Sequence, residues 1–370
     1  MLNALVVILS LVLASVEADL LALPMFAYVD PRADPIEGFT PWTFQSELVA
    51  FRNQPDPPMF GFMRHFLMTP KHKGWRPDRL KYFMLHRDPD AKLTVSLPTR
   101  VSSGQLVYEP VELYTNLDGF VRENITVWLP SNHDTDKFEF TVRHATTSSE
   151  SVTAVVYLMQ PHGVTFICDI DDTLKPFGYT PSMILGHFFS DYHSIPGMLN
   201  LTHRLLAQSQ SSSAHSQDVK TSNQFVYVSG GPWPVVPGVQ AFLQDQGFPA
   251  GPSAIFDLKR LGTPDAFLKS VQRLSDMTEL KLGFLRSMMH LYPQRQFVFI
   301  GDSLLGDPKT YGTMMREFNA TRALKTLIRL VSLPEVLAFR NSRERFEHAF
   351  EGVSRERWMV FKDPKDVSGY

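Results

Sequence analysis

The distribution of hydrophobic residues divides the chain into two parts. Between about residues 20 and 160, short runs rich in β-branched and aromatic residues alternate with clusters of Pro, Asp, Asn and Gly, such as the segment 53–58. Repeated short runs with turn signals between them are typical of a sandwich or a partly open barrel. We therefore expect a β-rich, sandwich-like domain over residues 19–160.

From residue 161 onwards the pattern changes. Short continuous apolar runs now alternate with longer amphipathic stretches such as 238–246 and 280–292. Apolar strands separated by helices predict a parallel sheet that is covered on both faces. We expect an α/β domain over residues 161–370, with strands at 164–168, 225–229, 253–258, 296–300, 326–331 and 358–361.

The first residues form an uncharged apolar run at 2–14, followed by a small-x-small pattern at 16–18. The run is shorter than the ~20 residues that span a bilayer, and with the pattern it predicts a signal peptide over residues 1–18. Because no Lys or Arg precedes the run, a buried first strand is the alternative. We therefore expect the protein to lie in the secretory pathway or to be secreted, with or without association with a membrane. The alternative is a cytoplasmic protein bound at the surface of a membrane.

The overall composition excludes several classes of protein. The 370 residues include 36 Lys and Arg against 38 Asp and Glu, which gives a formal net charge of −2. Proteins that bind nucleic acids usually contain a strongly basic domain, so we expect no nucleic-acid partner. A single cysteine excludes an internal disulfide framework and a cysteine-based zinc site.

Reactive side chains follow three of the predicted strands at the point where each strand ends. The sequence DIDDT occupies 169–173, SGGPW occupies 229–233, and GDS at 301–303 is followed by Asp307, while Lys281 lies near the start of a predicted helix. Ligands of open parallel sheets bind beyond the carboxyl ends of the strands. Such convergence of acidic groups, a hydroxyl and a lysine predicts a functional site, and capping of helices and turns is the alternative.

Other motifs that begin in a similar way do not fit. A calcium-binding EF-hand loop counted from Asp169 requires Gly at its sixth position and Glu at its twelfth, where this chain has Leu174 and Thr180. A thiolate phosphatase built on Cys168 would need an arginine where Leu174 stands. No P-loop, H-E-x-x-H or dinucleotide-binding fingerprint is present.

At this point the sequence resembles a known family. It is similar to the actin-patch-type, magnesium-dependent phosphatidate phosphatases of the haloacid dehalogenase (HAD) superfamily, strongly over 161–330 and loosely before that. The resemblance rests on DIDDTLK at 169–175, VSGGPW at 228–233, GFPAGP at 247–252, FIGDS at 299–303, Asp307-Pro308 and Thr310-Tyr311. It implies a HAD-like, Rossmann-like catalytic domain. Departures at Gly230-Gly231 and Leu304-Leu305 bear on the identity of the substrate rather than on the chemistry.

The resemblance also implies roles in catalysis. Asp169 would attack phosphorus and form an aspartyl-phosphate, and Asp171 would protonate the leaving oxygen and later deprotonate water. Ser229 and the N–H group of Gly230 would bind the phosphoryl oxygens. Lys281 would offset the developing charge.

A magnesium site is implied by the same motifs. The carboxylates of Asp169 and Asp302 and the backbone carbonyl of Asp171 would be Mg²⁺ ligands, and Asp307 would act directly or through water. This set matches the oxygen ligands that Mg²⁺ prefers.

Other residues near the motifs have two interpretations each. Thr173 would hold the local geometry or cap a helix. Lys175 would bind a second anion of the substrate or be solvated. Asp172 is expected as an exposed carboxylate at a helix start, and the alternative is a group that contacts the ligating residues from behind. The apolar segment 181–198 would contact a membrane surface or form a buried helix.

Taken together, these features predict a Mg²⁺-dependent phosphatidate phosphatase that releases diacylglycerol and phosphate. The expected partner is a phospholipid substrate at a membrane surface, and protein partners are left open. The alternatives are a HAD-type phosphatase of a soluble phosphomonoester and a non-catalytic binding protein with the same fold.

Overall fold

The computed structural model describes most of the chain. The described residues are 20–55, 76, 79, 82, 85–145 and 151–369, with gaps at 35, 103–104, 134, 179–180, 189, 213–221, 232 and 256–277. The predicted signal peptide at 1–18 lies outside them. The described residues divide into two compact units, of which the first ends at Met159 and the second begins at Gln160.

The first unit consists of strands in two sheets. Its strands are β1 (Leu20–Ala22), β2 (Met25–Val29), β3 (Phe39–Gln45), β4 (Leu48–Pro55), β5 (Leu85–Arg87), β6 (Lys92–Ser102), β7 (Gln105–Tyr114), β8 (Phe120–Val121), β9 (Asn124–Pro130), β10 (Lys137–His144) and β11 (Ser151–Leu158). The larger sheet has the order β7-β6-β10-β11-β2-β3-β9, and its β11–β2 pair is parallel while the other pairs are antiparallel. The smaller sheet has the order β1-β4-β5, with β8 also paired to β4.

Alternation of apolar and polar residues explains these strands. In β10, Phe138, Phe140 and Val142 are buried while Glu139 between them is exposed, as the two-residue period of a strand requires. Residues from both sheets, including Leu48 of β4, enter one hydrophobic core. The prediction of a β-rich first half is confirmed, and its sandwich-like packing stays a prediction.

The second unit alternates strands and helices. Its elements are β12 (Val164–Asp169), α1 (Pro181–Phe188), α2 (Met198–Ser212), β13 (Gln224–Ser229), α3 (Val236–Asp245), β14 (Ser253–Ile255), α4 (Thr278–Leu291), β15 (Gln296–Asp302), α5 (Asp307–Glu317), β16 (Ala323–Arg329), α6 (Arg343–Ala349) and β17 (Trp358–Phe361). The six strands form one sheet in the order β14-β13-β12-β15-β16-β17, and every neighbouring pair is parallel. The predicted parallel sheet is therefore confirmed.

The strand order determines where a site can form. Every residue of β12 is buried, as expected for a central strand that is covered on both faces. On one side of β12 lies β13, the next strand in the chain, and on the other side lies β15. The chain continues from β12 to one side of the sheet, through β13 and β14, and then to the other side, through β15, β16 and β17. The carboxyl end of β12 is therefore a topological switch point.

The opposite, amino-terminal edge of this sheet is closed by an arginine that sequence reasoning missed. Arg295 has 0% exposure, and its burial lowers the pKa of the guanidinium to about 10. It donates hydrogen bonds of 2.6 to 3.2 Å to the carbonyl oxygens of Gln160, His162, Val164 and Ser222 and to Oγ1 of Thr165. One side chain thus joins the beginnings of several elements.

The apolar segment 181–198 contains α1 and the turn that follows it. Phe188 at the end of α1 is buried, as are Tyr192 in the turn and Met198 at the start of α2, while Met183 of α1 is exposed. Both interpretations of the segment stay predictions. Over the stretches that the structure describes, no helix combines the length and apolarity needed to cross a bilayer.

Candidate active site

A cavity that is open to solvent lies at the carboxyl ends of β12, β13 and β15. The structure therefore brings together the segments that sequence analysis selected. Of the predicted site residues, those that line the cavity are Asp169, Asp171, Gly230, Lys281, Asp302 and Asp307. Thr173, Ser229 and Lys175 lie behind this lining and contact its side chains.

Asp169, Lys281 and Asp307 form a buried ion-pair chain. Nζ of Lys281 lies 2.5 Å from Oδ1 of Asp169 and 2.6 Å from Oδ1 of Asp307. Burial alone lowers the pKa of Lys281, but the two carboxylates raise it, and the net result lies above the usual range. Lys281 is therefore an ammonium group at neutral pH.

Three buried carboxylates meet around this ammonium group. Asp169, Asp302 and Asp307 each offer an oxygen atom, and these atoms lie within 4.8 Å of one another. Burial raises the pKa of Asp169 and of Asp302 well above its usual value; the Asp307 charge adds to both shifts, while Lys281 opposes them. The cluster therefore favours more positive charge than Lys281 supplies, and its hard oxygen donors fit a divalent cation such as Mg²⁺.

The position of Asp307 depends on the end of β15. Asp307 begins α5, and its Oδ2 accepts the backbone N–H of Asp302 at 3.2 Å. This approach is possible because residue 301 is glycine, since a Cβ atom there would lie 2.3 Å from Oδ2 of Asp307. Asp302 is held in turn because its Oδ1 accepts the N–H groups of Leu304 at 2.6 Å and Leu305 at 3.3 Å.

Asp171 and Ser229 form a second polar pair across β12 and β13. The hydroxyl of Ser229 donates to Oδ2 of Asp171 at 2.8 Å and accepts the N–H of Gly231 at 2.9 Å. The other oxygen of Asp171 accepts a hydrogen bond from Lys175 at 2.5 Å. Both carboxylate oxygens of Asp171 therefore have a donor within the protein.

The solvated interpretation of Lys175 is wrong. Its exposure is 2%, and its ammonium lies 4.8 Å from the ring centre of Phe177 and 4.4 Å from that of Tyr192. Burial lowers the pKa of Lys175 and the Asp171 carboxylate raises it, with a net upward shift. The anion that meets this lysine in the structure is Asp171, and Lys175 is not among the residues that line the cavity.

The expectation of an exposed Asp172 at a helix start is also wrong. Asp172 has 6% exposure and a left-handed backbone (φ 59°), and the next helix in the described part of the chain, α1, begins at Pro181. Its carboxylate accepts the N–H groups of Phe177 and Gly178, each at 3.1 Å, and burial raises its pKa. Its carbonyl accepts two hydrogen bonds from Arg329, which is 157 residues away in the chain.

Thr173 supports the geometry of Asp169 and does not cap a helix. It lies in the turn after β12 rather than at the start of α1, and it is fully buried. Its hydroxyl donates to Oδ2 of Asp169 at 3.2 Å. Because Lys281 holds Oδ1, the two oxygens of Asp169 have separate donors.

Two arginines that sequence reasoning missed hold the loop after β15. Arg345 donates to the carbonyl oxygens of Ser303 and Leu305, each at 2.5 Å, and Arg340 donates to that of Leu304. The same loop supplies the N–H groups that bind Asp302. Because the arginines come 35 or more residues later, no local sequence pattern connects them to the site.

Comparison with protein families gives one match. Residues 164–330 match the family model described as phosphatidate phosphatase APP1, catalytic domain. The matched segment begins with β12 and ends just after β16, so it contains every residue of the carboxylate cluster. A search of curated proteins returns no match.

Comparison with solved structures gives distant likenesses. A glycoside hydrolase family 2 member from Bacteroides cellulosilyticus aligns at 6% identity and a TM-score of 0.26 over 91% of this chain, which spans 42% of that structure. A carbohydrate esterase aligns at 10% identity and a TM-score of 0.20, over 93% of this chain and 88% of that one. Likenesses at these scores carry no argument about function.

Proposed function

We propose that this protein is a Mg²⁺-dependent phosphatidate phosphatase, because residues 164–330 match the family model described as phosphatidate phosphatase APP1, catalytic domain. The family implies a phosphoric monoester hydrolase. The observation that carries the proposal is the buried cluster of Asp169, Asp302 and Asp307 around Lys281, at the carboxyl end of the central strand β12. The proposed products are diacylglycerol and inorganic phosphate.

We also propose a more specific fold for each of the two units. A central β12, flanked by β13 and β15 in a wholly parallel sheet, supports a HAD-like, Rossmann-like catalytic domain. The shared core of the two sheets in the first unit supports a sandwich-like arrangement there. We propose that the protein binds its phospholipid substrate while the lipid is still in a membrane surface.

The proposed metal ligands are the carboxylates of Asp169, Asp302 and Asp307 and the backbone carbonyl of Asp171. Bound Mg²⁺ would screen the repulsion between an anionic nucleophile and an anionic phosphate. The raised pKa values of Asp169 and Asp302 support this assignment, since burial and then the Asp307 charge make both anionic forms costly, and a bound cation would offset that cost.

In the first step, a carboxylate oxygen of Asp169 attacks phosphorus in line and forms an aspartyl-phosphate. Lys281 and Thr173 hold the two oxygens of Asp169, so the carboxylate is oriented before the substrate arrives. The bond between phosphorus and the glycerol oxygen breaks, and that oxygen takes a proton from Asp171 as diacylglycerol leaves. The N–H of Gly230, which lines the cavity, is the proposed donor to one phosphoryl oxygen. The hydroxyl of Ser229 would turn from Oδ2 of Asp171 to another phosphoryl oxygen, which leaves Oδ2 to carry the proton that Asp171 transfers.

In the second step, Asp171 acts as a base. It takes a proton from a water molecule as the water oxygen attacks phosphorus of the aspartyl-phosphate. Inorganic phosphate leaves, and the carboxylate of Asp169 is restored. The ammonium of Lys281, buried at hydrogen-bond distance from Asp169, offsets the negative charge that develops in both steps.

Phosphate release is the test of this function. We would compare phosphatidate in mixed micelles with glycerol 3-phosphate and an aryl phosphate, each with Mg²⁺ and with chelator. We expect phosphatidate to be preferred, activity to require Mg²⁺, and Asp169→Asn to abolish turnover. The matched control is Asp245→Asn, which changes an exposed aspartate at the end of α3 and should keep full activity.

Each other result points to a different reading of the site. Equal turnover of the soluble esters would favour the soluble-phosphomonoester alternative. Turnover that survives in a folded Asp169→Asn variant would remove the nucleophile assignment. No turnover of any ester would leave a non-catalytic binding protein.

A further inference from the structure

Lys175 has no role in the reaction proposed above, although it contacts one of the reacting groups. Its ammonium lies one shell behind the cavity, where it donates to Oδ1 of Asp171 at 2.5 Å. The opposite oxygen of Asp171 accepts the hydroxyl hydrogen of Ser229 at 2.8 Å. The orientation of the Asp171 carboxylate is therefore set from two sides, by one charged and one neutral donor.

The lysine itself is held in place by its surroundings. Its ammonium lies over the rings of Phe177 and Tyr192, both of which are buried. Its backbone is also bound, because the carbonyl of Lys175 accepts the N–H of Asp172 at 2.7 Å. A buried ammonium beside two aromatic faces is confined much more than a solvated lysine, whose side chain has many rotamers.

We propose that Lys175 is a positioning residue for the proton transfers of Asp171 and that it does not bind the substrate. It holds Oδ1 so that the carboxylate stays beside Ser229 at the cavity wall. This inference rests on the proposed function, since it takes from that function the role of Asp171 as acid and base. It replaces the expectation that Lys175 binds a second anion of the substrate.

The two roles of Lys175 predict different kinetics. A residue that acts through Asp171 affects the chemical step, whereas a residue that binds the ground state affects mainly KM. We expect Lys175→Met to lower kcat for phosphatidate by about 10- to 100-fold, as a small misplacement of a reacting group does, with KM changed by less than about 2-fold. Lys175→Arg keeps a charged donor and should recover part of the lost kcat.

A second pair of variants keeps the test valid if Lys175→Met fails to fold. Tyr192→Phe and Tyr192→Leu both remove the hydroxyl that donates to the carbonyl of Phe188, but Tyr192→Phe keeps the ring beside the ammonium. We expect Tyr192→Leu to lose several-fold more kcat than Tyr192→Phe. Thermal unfolding of each variant would show that the comparison is made on folded protein.

The outcomes separate this inference from the proposed function. If the wild-type protein hydrolyses only a soluble ester, the lipid assignment fails and the Lys175 kinetics are measured on that ester. A raised KM with unchanged kcat in Lys175→Met, or an unchanged kcat in a folded variant, would overturn the positioning role. A wild-type protein without any phosphatase activity would overturn both proposals.

Discussion

Replacement of Gly301 by alanine tests whether the close approach of Asp307 to β15 sets the geometry of the carboxylate cluster. A Cβ atom at residue 301 would lie 2.3 Å from Oδ2 of Asp307 and 2.7 Å from Cε2 of Tyr311, whereas ordinary contacts begin at 3.4 Å. Both neighbours are buried, and Tyr311 is stacked on Phe299 with 5.2 Å between ring centres. Tyr311 is fully buried, whereas Asp307 borders the cavity, so we expect Asp307 to be displaced toward the cavity by about 1 Å.

The expected magnitude has a structural and a catalytic part. Overpacking a dense interior lowers the free energy of unfolding by roughly 1 to 3 kcal/mol. A displacement of about 1 Å in a group that organises the reacting atoms costs about 100-fold in rate. We therefore expect Gly301→Ala to lose about 100-fold in kcat/KM at a temperature where it is still folded.

Gly283→Ala is the matched control for this experiment. It makes the same substitution within α4 of the same unit, and, apart from its chain neighbours and the backbone of its own helix, no atom of the described residues lies within 4 Å of the added Cβ. Because alanine is preferred to glycine in a helix interior, the control should keep its activity and gain roughly 0.5 to 1 kcal/mol in stability. Phosphate release would give kcat/KM, and urea denaturation would give the free energy of unfolding. Full activity and full stability in Gly301→Ala would refute the reasoning.

Two further predictions concern stability. Arg295→Met leaves several carbonyl oxygens without their donor, so we expect urea denaturation to show that the free energy of unfolding falls by about 3 kcal/mol or more. The kcat of the folded variant should change little, because Arg295 lies at the sheet edge opposite the site. An unchanged denaturation midpoint would contradict the assigned hydrogen bonds. Without metal, the pKa values of Asp169 and Asp302 are higher in the folded than in the unfolded protein. The stability that these two groups contribute is therefore complete at a pH below their pKa in the unfolded chain, and it is lost as the pH rises through their pKa in the folded protein. The gain in Tm on addition of Mg²⁺ should therefore increase with pH, and a gain that does not vary with pH would argue against metal binding at these carboxylates.

The parts of the site that could be predicted are those that depend on local order. The apolar run before Asp169 and the run before Asp302 are buried strands, and each ends where its carboxylate begins. Parallel pairing then brings the strand ends to one edge of the sheet, so the meeting of Asp169, Asp302 and Lys281 follows from the pattern of strands and helices.

The predictions that failed all concern burial of a charge by distant segments. Lys175 and Asp172 follow a strand within a polar stretch, which on composition alone is typical of a solvated turn. The structure buries both: the ring of Tyr192 packs over Lys175, and Arg329 binds the carbonyl of Asp172. Arg295 gave no signal either, since its acceptors include Gln160, which lies 135 residues earlier in the chain.

The sequence by itself thus determined the β-rich first half, the strands of the parallel sheet and the reactive residues at their ends, because periodicity and the residue that follows a strand are properties of neighbouring positions. Only the tertiary structure decided which charged groups are solvated and which are buried and paired. The physical reason is that desolvation and hydrogen bonding depend on every element that packs against a side chain. For Lys175, that difference changes a proposed substrate contact into a residue that holds Asp171 from behind.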